Sequence, residues 1–571
     1  MTAPTSEDLL ALYGRGTLAA EMARRFGLMD REEVSLTQAM CAELHNSGAL
    51  DLLKLAEDGS LQALEGSSFF MATHFFCKVL PDLQAPSQRV MACVEALVTR
   101  GGADGAANRP NAALREWCAR DVTRTREILA AARAGDALAG RHLTFALEAM
   151  NDIPEARRIL GENDERLRLS AITALGRMRD QDPASRAETI QAFGQLLDRG
   201  ADDGLKASLL HATTFVMTQD GGASPSEALD LVRRLVNEPG TFVVHQAAHV
   251  LWAYPEAHQP ELIQLLLSAL LLVNPANKGT VNELDHGLET LMQSSHDEAA
   301  ISFVTTLFGD AGELELTELD SFIAALVDGP ADRLGRTVVS WLRNGSMRLC
   351  EGLAQVLRRQ REEEPILELQ DFVKDLPPPE QLFICRKAIG FFFLRPRTAA
   401  SVLVSTLRVC DEHTAEEVQK YLVQPLLLNY GGVREYLSQI GDGDAAKARG
   451  DAALAANTAY LDGLRSVPDL KEFHPSELHR RIEHLRMADQ MQAASKRARS
   501  QSILLSFVKR SVLLYGTRSL SFIRDDGNRL RPMEMDLKSF GVSFELPRME
   551  IVDPVGLDYA LRVYRAERMA S

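Results

Sequence analysis

The sequence predicts a mostly α protein of stacked helix pairs, followed by a small C-terminal α+β module with a β-hairpin or meander. Three observations predict it. Leu and Ala are plentiful while aromatics make up only 6% of the chain, which favours helices over sheets. At 571 residues the chain is too long for one ordinary core, so it is either several domains or an extended array. Apolar residues recur at helical spacing along most of its length, and strict alternation appears only after about residue 515.

The clearest helix is Asp164 to Met178, reading DERLRLSAITALGRM. Leu167, Ala171, Ala174, Leu175 and Met178 form one apolar stripe, with Arg166, Arg177 and Arg179 outside it. Asp182-Pro183 breaks the helix, and a second follows with Ile190, Phe193 and Leu197 on one face. The theme returns over Lys206 to Met217, over Phe242 to Tyr254 with Ala247, Ala248 and Leu251, and over Glu283 to Met292 with Gly287, Leu288 and Leu291. Aligning Ala171, Leu210, Ala247 and Leu288 gives steps of about 40 residues. Small residues recur because paired helices must approach closely.

With Arg168, Ala171, Ala174, Leu175 and Gly176 in place, the stretch resembles the first helix of a HEAT repeat, and residues 164–310 resemble the HEAT-like and armadillo-like helical repeats. The resemblance implies a solenoid that binds other molecules more often than it catalyses. The expected Pro and Asp positions are missing from several units.

The remaining elements follow in order. Residues 1–135 form an N-terminal helical region, with Leu18 to Phe26 and Val90 to Val98 as helices and Gly101 to Asn111 as a flexible loop. Residues 136–358 hold the repeats. Leu262 to Val273, LIQLLLSALLLV, is a buried helix, since twelve residues cannot span a bilayer. Residues 359–440 continue helical, broken at Pro377-Pro378-Pro379, with IGFFFLRP near Phe391 as one buried helix. Residues 441–475 are a linker and connecting helix; Gly441 to Gly450, GDGDAAKARG, lacks periodicity.

Residues 476–571 form a basic α+β module. Ser519 to Ile523, Met533 to Leu537 and Val542 to Leu546 alternate like strands, and Asp525-Asp526-Gly527-Asn528 supplies a hairpin turn. Asp553-Pro554 starts a last helix with a cap and an N1 proline, and Leu557, Leu561 and Tyr564 give it an apolar face.

The formal charge is −16, so the surface as a whole does not suit nucleic acid or an anionic membrane. From Leu478 to Arg531, however, twelve basic residues face four acids, a local +8. Arg480, Arg481, Lys496, Arg497, Arg499, Lys509 and Arg510 are the candidate partner-binding residues. They fit docking on the acidic solenoid, docking on a partner, or contact with phosphates; closely interleaved aromatics, which a single-strand binder wants, are missing.

Enzymatic motifs are scarce. The seven cysteines form no CxxC pair, which suggests reduced, packed thiols. His474, His479 and His484 with Glu477 and Glu483 have the wrong spacing for HExxH. His245 and His249 lie at i, i+4 inside an apolar run and read as packed or partly exposed. GGADGAANRPN lacks the end of a P-loop, and Gly441-Asp442-Gly443-Asp444 lacks the spaced carboxylates of an EF-hand. The chain has no His-Glu dipeptide, GxSxG elbow or kinase motif set. Trp117, Trp252 and Trp341 are expected in cores, and Glu362 to Glu364 on a helix surface or as a docking site for the basic segment.

The expectation is a cytoplasmic, non-enzymatic protein–protein interaction scaffold or adaptor with no cofactor or metal, no membrane association, and another protein as partner. The alternative is a nucleic-acid-associated HEAT-like protein or enzyme, such as an accessory factor of a bacterial stress or defence system.

Overall fold

A computed structural model describes residues 4–26, 31–102, 108–219, 226–309, 312–344, 346–359, 364–469, 471–500, 511–513, 518–524, 530–536 and 545–569. The chain forms two compact units: Met1–Thr337 with Arg348–Val356, and Val338–Met347 with Leu357–Ser571. No described helix is long and apolar enough to cross a membrane.

The first unit opens with helices that include Leu18–Phe26, Gly66–Val79, Ser87–Gly101, Asn108–Ala119 and Val122–Arg133. The expected loop at Gly101 to Asn111 is thus shorter on its far side, because the chain is helical again from Asn108. The repeat region then holds α1 (Ala137–Met150), α2 (Ile153–Leu160), α3 (Glu165–Leu175), α4 (Pro183–Asp198), α5 (Asp203–Thr218) and α6 (Ser226–Leu235). It continues with α7 (Thr241–Ala253), α8 (Pro260–Leu270), α9 (Lys278–Met292), α10 (Asp297–Leu307) and α11 (Asp320–Val327).

These helices stack in two layers. Each odd-numbered helix packs on the next odd-numbered one, and α2, α4, α6, α8 and α10 pack in the same succession. From α3 the odd helices begin at residues 165, 203, 241, 278 and 320, so the chain advances by 37 to 42 residues per pair. This is a helical-repeat protein.

Close approach explains the small residues. A Cβ on Gly176 would lie 2.8 Å from the Ala212 Cα on the next odd helix. A Cβ on Gly287 would lie 2.7 Å from the Leu251 Cβ. Either contact would push two packed backbones apart.

The acidity has a structural use as well. Asp121, Asp136, Asp152, Asp164, Asp182 and Asp202 each accept a backbone N–H at the start of the following helix. Such caps satisfy donors that have no partner inside the helix. Others act across repeats: Asp285 on α9 accepts from Ser321 and Phe322 at the start of α11, both at 2.9 Å. Asp203 on α5 accepts from Phe242 on α7 at 2.7 Å.

The second unit is built on α12 (Pro378–Phe392), α13 (Pro396–Leu407), α14 (Glu412–Tyr421), α15 (Gly431–Ser438) and α16 (Lys447–Ser466). Proline starts α12 and α13, where a missing N–H costs nothing. Gly441 to Gly450, expected as a linker, is held in place instead. Asp444 pairs with Arg408 at 2.8 Å and accepts from Ala446 N–H at 2.9 Å, and α16 begins at Lys447. Short-range periodicity does not register such a loop, because its partners lie about 36 residues back.

Then come α17 (Glu477–Ser500), the strands β1 (Ser511–Leu513), β2 (Arg518–Arg524) and β3 (Leu530–Asp536), and the helices α18 (Arg548–Val552) and α19 (Pro554–Ala566).

The expectation of a solenoid followed by a separate C-terminal α+β module is corrected here. Among the described residues the packing outside the three strands is helix on helix, and no helix after residue 476 packs closely on those strands. The three short strands pair antiparallel with one another, with Ser521 opposite Ser511 and Met533. The last helix does not pack on them. It packs on α12, more than 160 residues back in sequence, and α17 lies in solvent. The expected turn at Asp525 to Asn528 lies outside the described residues, and Glu545 and Leu546 are not in a strand. Alternation supports strands, but an α+β core also needs a helix to cover the sheet; here α19 is drawn to α12 by stronger contacts.

Candidate functional site

The candidate partner-binding segment is α17. Its sequence ELHRRIEHLRMADQMQAASKRARS carries six basic residues against three acidic ones. Every side chain from residue 477 to 497 is exposed. Arg480, Arg481, Lys496 and Arg497 therefore lie on one solvent-exposed helix, and about four turns separate the first pair from the second. Arg499 lies in the same helix, its side chain outside the description; Lys509 and Arg510 lie outside the described residues.

The helix also exposes apolar surface. Leu478, Ile482, Leu485, Met487 and Met491 are each more than half exposed. A helix of 24 residues is about 36 Å long. Exposed apolar side chains interleaved with Arg and Lys suit a partner offering apolar contact and negative charge.

The histidines around it form no ligand set. His474 pairs with Asp469 at 2.5 Å, both exposed. Among the described residues no group of three or more His, Cys, Asp or Glu is placed to hold a metal. Glu364, the described end of the acidic run, caps a helix rather than offering a surface. Its carboxylate accepts from Arg397 N–H at 2.7 Å and Thr398 N–H at 3.2 Å at the start of α13, and burial raises its pKa.

The first unit carries a polar row across successive odd helices. Glu148 of α1, nearly buried, pairs with Arg177 at 3.0 Å and with Arg115 at 3.4 Å. Next comes His211 of α5, whose Nε2 shares a hydrogen bond with the Tyr254 hydroxyl at 2.7 Å. His211 stacks on His249 of α7 with ring centroids 6.2 Å apart. His249 and the Trp252 indole N–H both meet the Glu283 carboxylate of α9. His245 pairs with Thr280 at 3.1 Å. Burial first, then the nearby His249 and Arg177, lower the His211 pKa to about 4, so its imidazole is neutral.

The end of this row borders a cavity of about 760 Å³ lined by Arg179, Asp180, Arg186, Phe215, Tyr254 and Glu256 among others. Within it Arg186 donates to the Asp180 backbone carbonyl at 2.8 Å. Burial pushes the thiols of Cys41, Cys77, Cys118 and Cys385 up to about 12, away from the reactive thiolate form.

Two of the three tryptophans are core residues. Trp117 is buried and donates to the Leu83 carbonyl at 2.8 Å, and Trp341 is buried as well. Trp252 departs from that expectation. It is 41% exposed, because it sits at the end of α7 in the polar row.

A set of residues that sequence reading missed holds the C-terminal helix to α12. Lys387, 2% exposed, donates to the backbone carbonyls of Arg565 at 2.7 Å and Glu567 at 2.6 Å. Arg386 forms a two-point pair with the Glu567 carboxylate at 2.8 and 2.6 Å. Arg565 donates back to the Gly390 carbonyl, and Glu545 accepts from the backbone N–H groups of Gly431 and Gly432. The available signal was a lysine inside the apolar run of α12, since a buried lysine requires acceptors.

No family model matches the chain, and no curated protein does. Among solved structures, a circular tandem repeat protein with novel repeat topology and enhanced subunit contact surfaces matches with a TM-score of 0.18 and 13% identity. The match covers 81% of this chain and 98% of that one. At so low a TM-score it carries no argument, and the repeat architecture rests on the chain's own helices.

Proposed function

We propose that the protein is a non-enzymatic interaction scaffold or adaptor on a HEAT-like α-solenoid, and that α17 is the segment through which it binds a partner protein. The carrying observation is the exposure of α17 along residues 477–497, with basic and large apolar side chains on the same helix. The HEAT-like reading is supported by the 37- to 42-residue advance and by the close helix contacts at Gly176 and Gly287. The partner's matching surface is acidic with an apolar centre. Arg499, Lys509 and Arg510 extend the same basic segment in sequence and belong to the proposal on that ground.

The test is affinity purification from the native host with the intact chain and with a variant carrying Arg480→Glu, Arg481→Glu and Lys496→Glu. The expected result is loss of a captured protein from the variant while its melting temperature is unchanged. Identical captured proteins would remove α17 from the interface. Binding of labelled DNA across a salt series decides the nucleic-acid alternative: a steep fall in affinity with salt, abolished in the same variant, would favour it.

A further inference from the structure

Trp252 differs from Trp117 and Trp341 in leaving much of its ring in solvent, yet it is held in a fixed place. Its indole N–H donates to Oε2 of Glu283 on α9, and the His249 ring packs edge-on with it, centroids 5.2 Å apart. His249 Nδ1 meets the same Oε2 at 3.2 Å. Both protein partners therefore use one carboxylate oxygen, and among the described residues nothing donates to Oε1. The Glu283 side chain is 24% exposed.

The charge of this carboxylate is not balanced from within. Among the described residues no Lys or Arg pairs with Glu283; the imidazole offsets it only when protonated, and the indole never does. The sequence of α7 contains no Lys or Arg. Lys278 at the start of α9 is engaged by Glu318, and Arg177, which acts on nearby His211, is held by Glu148 at 3.0 Å. An open indole face beside an unshared carboxylate oxygen is what a guanidinium recognises. The flat cation stacks on the ring, drawn by its negative face, while an N–H reaches the oxygen.

The surroundings say what carries that cation. Phe242, His245, His249 and Trp252 stand at i, i+3, i+7 and i+10, one stripe of α7. Phe242 is 64% exposed, about 15 Å along the helix from Trp252. Small-molecule sites enclose most of their ligand, whereas this stripe is an open helix face. A polypeptide fits it, with one side chain at Trp252 and apolar groups toward Phe242.

We infer that Trp252 and Glu283, with His249 holding the carboxylate, form a site for an arginine side chain of a partner protein. The site takes a cation on the first unit, whereas α17 offers cations from the second, so neither reading depends on the other.

The test uses the full chain and capped tripeptides, acetyl-Gly-Arg-Gly-amide and its citrulline counterpart, which has the same shape without the charge. Binding is followed by the indole N–H resonance of Trp252, identified as the signal missing from Trp252→Phe. The arginine peptide is expected to shift it saturably, with a dissociation constant on the order of 1 mM. The citrulline peptide should bind about tenfold more weakly, and Glu283→Gln should weaken the arginine peptide by about the same factor. Glu298→Gln removes an equal charge from an exposed position on α10 and should change nothing. The comparison of the two peptides on the wild-type chain needs no variant to fold. Equal binding of arginine and citrulline peptides overturns the inference. So does the absence of a saturable shift, or equal weakening by Glu283→Gln and Glu298→Gln, which would reduce the effect to general attraction by an acidic chain.

Discussion

The two units solve the same problem, burying helix faces, by opposite means. In the repeat region each helix meets its neighbours and the next helix of its layer, so a typical cross-repeat bond such as Asp285 to Ser321 spans 36 residues. In the second unit the decisive bonds are far longer. Arg386 to Glu567 spans 181 residues, Lys387 to Arg565 spans 178, and Gly431 to Glu545 spans 114. Local stacking lets a repeat array be judged unit by unit, with stability close to a sum of repeats and interfaces. The second unit is completed only when its last segment returns, so its integrity depends on a few buried polar contacts.

The largest expected effect comes from breaking that return. Lys387→Ala takes the donor from the Arg565 and Glu567 carbonyls and leaves a cavity at a buried position, and is expected to cost about 4 kcal/mol. Hydrogen exchange should rise over 378–392 and 548–566 while 241–292 keeps its protection. Equal loss in both regions would show that the two units unfold together.

Acid should act on the first unit. An unfolded His211 takes up a proton near pH 6.5, whereas the folded one does so only near pH 4. The unfolded chain then binds more protons between these values. Stability is therefore full above pH 6.5 and falls as pH drops toward 4, by on the order of 3 kcal/mol from this residue. His45, His142 and His258 are lowered by burial as well and add to the slope in the same direction. Melting of the wild type and of His211→Gln across pH 4 to 7 measures it, and the variant should show the flatter profile.

Gly287→Ala sharpens the picture of local stacking. Its Cβ would overlap Leu251, so the expected cost is about 2 kcal/mol, felt at the contact of α7 with α9 and not at α12. Glu567→Gln is expected to be milder, about 1 kcal/mol, because the pair with Arg386 is partly solvated and one hydrogen bond survives. Proteolysis rates at the C-terminus report it.

The sequence was most legible where structure is local. Leu18–Phe26 is a helix at the bounds its periodicity predicts. Asp553 caps Gly556 and Pro554 opens the last helix, as their order implies. The small residues of DERLRLSAITALGRM pointed to close helix contact, and Gly176 makes one. The basic segment was legible as charge, but not its exposure. Trp252 looked like a core residue because periodicity cannot tell a buried stripe from its edge.

What the chain determined by itself is its helices, their caps and their pairing, since each depends on residues within about forty positions. Tertiary structure alone decided which acids cap helices at a distance, that Lys387 is buried against the C-terminus, and that α19 leaves the strands for α12. The last two choices turn on groups more than a hundred residues apart. A buried ammonium requires acceptors, and only the folded chain brings the Arg565 and Glu567 carbonyls to it.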